Sequence, residues 1–399
     1  MYSSSFKHEQ LQTAIIRILN DKYHVPSTKI HVIVSDGCPV NGAALRPLKD
    51  YYQNMVAPIC ISHAANVVGK TLSKTLPLAK KFEEKWSQMM STSDRARYQF
   101  KHISGKTPVR PCEVRWYAWY EITVQIYDSS DAVRRVVEHD DDFAEALREA
   151  LREMIHPDVV EELRMELAIA KDTGDVLVKL CYHQEGDDDF LCVGSYDHWH
   201  EVQCRLKAMS SRDTPIDELR VLLPSVSANA DALSENEAGA EGLILDATDR
   251  IRPVYHKMLD DSIGRLEDTF RILRACRMLD WRFVASKGIA SLQQEIHHIS
   301  AIPVLNEVLH SLVAELPKYK SLADAEATKA ALDQRNDVGF WAAMEIELPE
   351  WFDASREVGL VCPSSACMER GFSMLTNLFN DQQEAVTKPL SRIWCARGS

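Results

Sequence analysis

The sequence has no apolar run approaching the roughly 20 residues that a membrane-spanning helix needs, so no bilayer crossing is expected. Its opening, MYSSSFKHEQ, lacks the charged-then-apolar order of a secretory signal. There is no C-x-x-C pair, and the ten cysteines are scattered along 399 residues. Free thiols in an intracellular chain are expected rather than a disulfide framework. No internal repeat of fixed period is found. Positive charge is also short: 46 Lys and Arg stand against 59 Asp and Glu, a net charge of -13. That balance argues against a protein whose whole surface binds nucleic acid.

What is present is a chain that is 45% hydrophobic, enough to bury a sizeable core and to form more than one domain. The scarce positive charge is concentrated. Residues 70–115 hold eleven Lys and Arg against the four acids Glu83, Glu84, Asp94 and Glu113, which is +7 locally and leaves -20 elsewhere. Trp86, Tyr98, Phe100, Trp116 and Tyr117 interleave with these cations. A tract of this kind has the means to meet phosphates and to stack on bases. The same pattern also describes a solvated helix face over ordinary core aromatics.

The opening third alternates. Leu11, Ile15, Ile18 and Leu19 recur at helical spacing. The β-branched run Ile30–Val34 reads as a buried strand ending on Asp36 and Gly37, followed by a helix over Pro39–Tyr52. Residues 57–72, APICISHAANVVGKTL, read as a second short strand passing into a helix at about Ser62. This order predicts an α/β layer. From about Trp119 the pattern turns helical, as in FAEALREALREMI, with Phe143, Leu147, Leu151 and Ile155 four apart. Residues 224–242 are small, polar and acidic and read as a linker. Helical pattern then resumes and runs past Leu332.

Two carboxylates draw attention. Asp36 stands where ligands gather in an open α/β sheet, at the carboxyl end of a strand; it also suits a turn or helix cap. Glu369 follows a helix start at Pro363, Ser364 and Ser365 and borders the apolar stripe Met368, Phe372, Leu375 and Phe379. It reads either as a site residue or as an acid placed for the helix dipole. Cys181, His183, Cys192, His198, His200 and Cys204 lie close in sequence, but their spacing matches no zinc module, and incidental histidines with buried cysteines are expected.

Four ordered stretches together resemble the hAT transposase superfamily. VSDGCPVNGAAL looks like its strand-end aspartate motif, CISHAANVVGK is similar to its C-x-x-H-x-x-N element, and VRPCEVRWYAWYE to its Arg-Trp element. FWAAMEIELPEWFDASREVGLVCPSSACMERGFSML resembles its C-terminal S-S-A-x-x-E-R-x-F-S block. The resemblance implies an α/β, mostly α chain: a partial ribonuclease-H-like sheet interrupted by a large all-helical insertion. The divisions would be 1–125, 126–335 and 336–399, the last with a dimerisation block.

In active relatives three carboxylates hold two divalent metals, usually Mg²⁺, for strand cleavage and transfer. Asp36 corresponds to the second acid and Glu369 to the third, with the two carboxyls expected to share a site. His63 corresponds to a histidine near that site, and Arg115 and Trp116 to a pair that contacts DNA. The first acid has no counterpart, nor do the family's zinc finger and final basic helix, so a copy truncated at both ends is expected. The resemblance thus implies a catalytically inactive, nuclear protein with no metal cofactor, DNA contact through residues 70–115 and a homodimer through the C-terminal block. The other readings are an active metal-dependent strand-transferase, if coding sequence is missing upstream, and a helical protein-interaction scaffold.

Overall fold

The computed structural model describes residues 7–112, 116–139, 145–185, 191–211, 249–260, 266–330, 333–359 and 361. Helix α1 (His8–Ile16) packs against α2 (Pro39–Tyr51). Pro39 opens α2, where a missing N–H removes no helix bond and the fixed φ suits the first turn. Leu45 and Leu48 are three apart on the inward side of α2. With Ile30, Tyr52 and Met55 they make a small core, flanked by Ile15, Ile16, Leu19, Val25, Ile33 and Ala57.

Among the described residues the expected ribonuclease-H-like sheet is not there. The described residues are helical for the most part and form no β-strand. The Ile30–Val34 run and the residues before Cys60 do lie side by side and parallel, but only as two isolated bridges, Val32 with Val56 and Ser35 with Ile59. The backbone explains why. Val56 N–H donates to His31 O (2.8 Å), Ile33 N–H to Val56 O (3.0 Å), Ser35 N–H to Pro58 O (3.3 Å) and Cys60 N–H to Ser35 O (2.7 Å). The rung between these pairs would be donated by residue 58, and Pro58 has no N–H. Two short segments with a broken ladder and no third partner do not make a sheet. The mostly-α half of the expectation describes these residues; the α/β half does not.

From Ile61 onward the described residues form a helical body. Its first part runs α3 (Ile61–Lys74), α4 (Pro77–Thr92), α5 (Asp94–Ser104), α6 (Trp116–Asp128), α7 (Ser130–Glu138), α8 (Glu145–Met154), α9 (Pro157–Glu185) and α10 (Leu191–Ser210). After a helical segment at 249–260 come α11 (Glu267–Cys276), α12 (Trp281–Ser286), α13 (Ile289–Glu295), α14 (Leu309–Ala327), α15 (Asp337–Ala342) and α16 (Pro349–Gly359).

The organising element is α9, 29 residues long, which packs against α3, α4, α6, α8 and α10. Leu163, Leu167, Ala170, Leu177 and Leu180 are buried along it. Two glycines let α6 come close. A Cβ on Gly69 of α3 would sit 2.1 Å from the Trp116 ring, and one on Gly174 of α9 would sit 2.2 Å from the Tyr120 ring.

A buried acid finishes the adjoining helix. Leu76, at the N-cap of α4, has no side chain that accepts a hydrogen bond. Glu166 of α9, fully buried, reaches across instead and accepts the Ala79 N–H (2.9 Å), one of α4's first-turn amides. Burial pushes its carboxyl up to about 7, against the pull of that N–H and of Arg250 at 3.8 Å.

The far end is an aromatic cluster. Tyr319 packs against Phe340, Trp341 and Trp351, with ring centroids 6.1, 5.1 and 4.8 Å away, and Trp281 stacks on Phe340. Each indole finds a carbonyl: Trp281 donates to Arg335 O, Trp341 to Leu279 O and Trp351 to Leu312 O. Residues on either side of the expected division at 335 therefore share one core.

Candidate functional site

Asp36 leaves the paired segments and turns the chain into α2. Gly37 takes φ 24°, and a Cβ there would meet Ile59 Cγ2 at 3.2 Å, so the turn is tight as well as left-handed. Asp36 is exposed, and its Oδ1 accepts the Cys38 N–H (3.1 Å) and an Asn41 side-chain N–H (2.5 Å). This is the Asx-turn arrangement that aspartate favours before a helix.

Beside the turn lies a cleft of about 390 Å³ between α2, the paired segments and the start of α11. Ser35, Arg46, Lys49, Ile59, Glu267 and Asp268 are among its lining residues. Three of its charges are paired: Lys49 meets Asp268 at 3.4 Å, and Glu267 meets Arg271 at 2.7 Å. Buried Thr269 accepts the Ile59 N–H (2.8 Å) and ties the paired segments to α11. A second tie runs from His31, whose Nδ1 lies 2.6 Å from a Glu357 oxygen of α16 while Nε2 lies 2.9 Å from Thr28 O.

The next motif residues hold the body together. Cys60 caps α3, its sulfur accepting the His63 N–H at 3.5 Å, and the His63 side chain is half-buried. Asn66 Oδ1 accepts the Trp116 N–H (3.0 Å) and so fixes the start of α6 against α3. Trp116 is 3% exposed, set into the notch at Gly69 beside Trp119 and Tyr120. It is in the core, not on a surface where a base would reach it. Arg115 and Glu369 lie outside the described residues, and with them the expected Asp36–Glu369 pairing and the stripe from Met368 to Phe379.

The basic tract divides by burial. Trp86 and Phe100 stack edge to face at 5.3 Å inside the core. Tyr98, in contrast, is exposed on α5 with His102 parallel to it. Tyr98 and His102 are four apart, so a helical reading of the tract places them on one face. That signal was available in the sequence, whereas the burial of Trp86, Phe100 and Trp116 was not.

The Cys/His cluster disperses along α9 and α10. The rings of His183 and His198 stack at 4.2 Å, and His200 Nε2 lies 3.5 Å from Cys204. Cys192 is buried and its thiol donates to Val358 O. The Cys276 thiol beside it, together with burial, pushes the Cys192 thiol well up. Among the described residues no three His, Cys, Asp or Glu are grouped to hold a metal ion. No helix among them is long and apolar enough to cross a membrane. No protein-family model matches the chain, and no curated protein matches it significantly.

Proposed function

We propose that the chain is a hAT-transposase-derived protein that contacts nucleic acid through its basic tract and does not cut it. The support for this reading is the way the motif-bearing segments interlock. Ser35 of the first element accepts the Cys60 N–H of the second, and Asn66 of the second accepts the Trp116 N–H of the third.

The chemistry of active relatives is not carried over. Asp36 already holds two donors of its own turn, and the acids of the neighbouring cleft face Lys49 and Arg271. DNA contact falls to the tract at +7, set in a chain that is otherwise at -20. A nuclear setting, and pairing of two copies through the block around Glu369, follow from the same resemblance.

The test incubates the full chain with labelled duplex DNA and Mg²⁺ or Mn²⁺ over a range of salt. The reading expects binding that weakens steeply as salt rises, and no nicked product. Absence of salt-sensitive binding removes the nucleic-acid role and leaves the helical scaffold. Metal-dependent nicking that disappears in Asp36→Ala overturns the inactive reading in favour of a strand-transferase.

A further inference from the structure

The exposed face of α5 carries an aromatic pair that the core does not use. Tyr98 is 69% exposed, and its ring lies within 3° of parallel to that of His102, centroids 6.0 Å apart. Both rings stand on a strongly cationic stretch. Residues 94–110 contain Arg95, Arg97, Lys101, Lys106 and Arg110 against one acid, Asp94, which pairs with Arg97. The helix ends at Gly105 in the left-handed region (φ 70°), and Lys106 follows at once, exposed.

There a groove of about 300 Å³ opens between the end of α5 and the start of α7, with Lys106, Ser130 and Arg135 among its walls. Its two carboxylates are occupied, Asp128 by Lys171 at 3.1 Å and Asp131 by Arg134 at 3.5 Å. Cations alone would serve a duplex backbone. A tyrosine held in water among them adds a π face, which attracts a base only when that base has a face open.

We propose that the outer face of α5 binds single-stranded nucleic acid, an unpaired base stacking on Tyr98 and His102 while the backbone follows Lys101 and Lys106 toward the groove before α7. This rests on the nucleic-acid reading above and narrows it to one strand form. The sugar–phosphate chain supplies the negative charge that the tract complements, and the base supplies the flat apolar face that the rings complement.

The test is fluorescence anisotropy of the full chain with a labelled oligothymidylate and with a duplex of equal length, across a range of salt. The expected result is tighter binding of the single strand. Tyr98→Ala weakens it about tenfold, Tyr98→Phe preserves it, and duplex binding is the same in all three proteins. Lys101→Ala with Lys106→Ala weakens both forms and flattens the salt dependence. If Tyr98→Ala leaves single-strand affinity unchanged while the duplex still binds, the platform is overturned and the nucleic-acid reading stands. If neither form binds at any salt, both are overturned.

Discussion

Residues 8–59 and residues 61–359 rest on cores of different depth. The first has Ile30, Leu45, Leu48, Tyr52 and Met55 under a ring of half-buried side chains. The second includes the fully buried Trp86, Trp199, Trp281, Trp341 and Trp351 and is threaded by α9. Among the described residues the polar ties between them include Ile59 to Thr269, Lys49 to Asp268 and His31 to Glu357. Val56 adds an apolar one, since it packs in the larger core, with Val32 and Ile59 partly buried against the same core. The motif aspartate belongs to the shallow unit and its cleft lies where that unit meets the start of α11, while the basic helix α5 belongs to the deep one. A segment with few buried contacts opens locally at lower free energy than the core it leans on.

The largest effects separate the two cores. Trp116→Ala removes the ring that fills the Gly69 notch and should cost about 3–5 kcal/mol, lowering the melting of the whole body. Leu48→Ala should cost about 2–5 kcal/mol, but inside the small core, so amide exchange should rise in α2 and at Val56 while α9 stays protected. Uniform loss of protection in both variants would merge the two units into one.

Glu166 sharpens the comparison from inside the body. Its native carboxyl lies near 7 against an ordinary value of 4.5, so the folded chain holds the proton more tightly than the unfolded chain. The stability this gives is complete below the unfolded value and is lost as pH rises through about 4.5 to 7. Glu166→Gln keeps the acceptor for Ala79 and removes the charge. At pH near 8 it should be more stable than the parent by up to about 3 kcal/mol, with the difference vanishing in mild acid. A difference that is the same at both ends of that range contradicts the buried-cap account.

The smallest effect concerns the turn. Asp36→Ala loses the acceptor for Cys38 and Asn41 and should cost about 1 kcal/mol, as loss of a helix cap does. A loss several times larger in thermal melting would mean that Asp36 supports more than its own turn.

The helices were legible where a local signal marked them. Pro39 announced α2, which ends at Tyr51 against an expected Tyr52, and the second motif turned helical at Ile61 against an expected Ser62. Leu151 is fully buried on α8, as its spacing implied. The strands were misread because β-branching reports extended backbone, not partners; a single proline at 58 breaks the only ladder the two segments form. Asp36 had two readings in the sequence, and its hydrogen bonds are those of the turn. The aromatics of the basic tract were not separable by composition. Burial of Trp116 depends on Gly69 and Asn66 of another helix, and burial of Phe100 on Trp86, contacts that spacing along one segment does not encode. Glu166 was invisible for the same reason, since its partner amide is on α4.

Hydrogen exchange of the full chain with and without nucleic acid decides most directly between the two regions. The account predicts new protection across α5 and the residues up to Arg110, with none at the Asp36 turn or the neighbouring cleft. Protection at Asp36, Arg46 and Lys49 with none on α5 would contradict it.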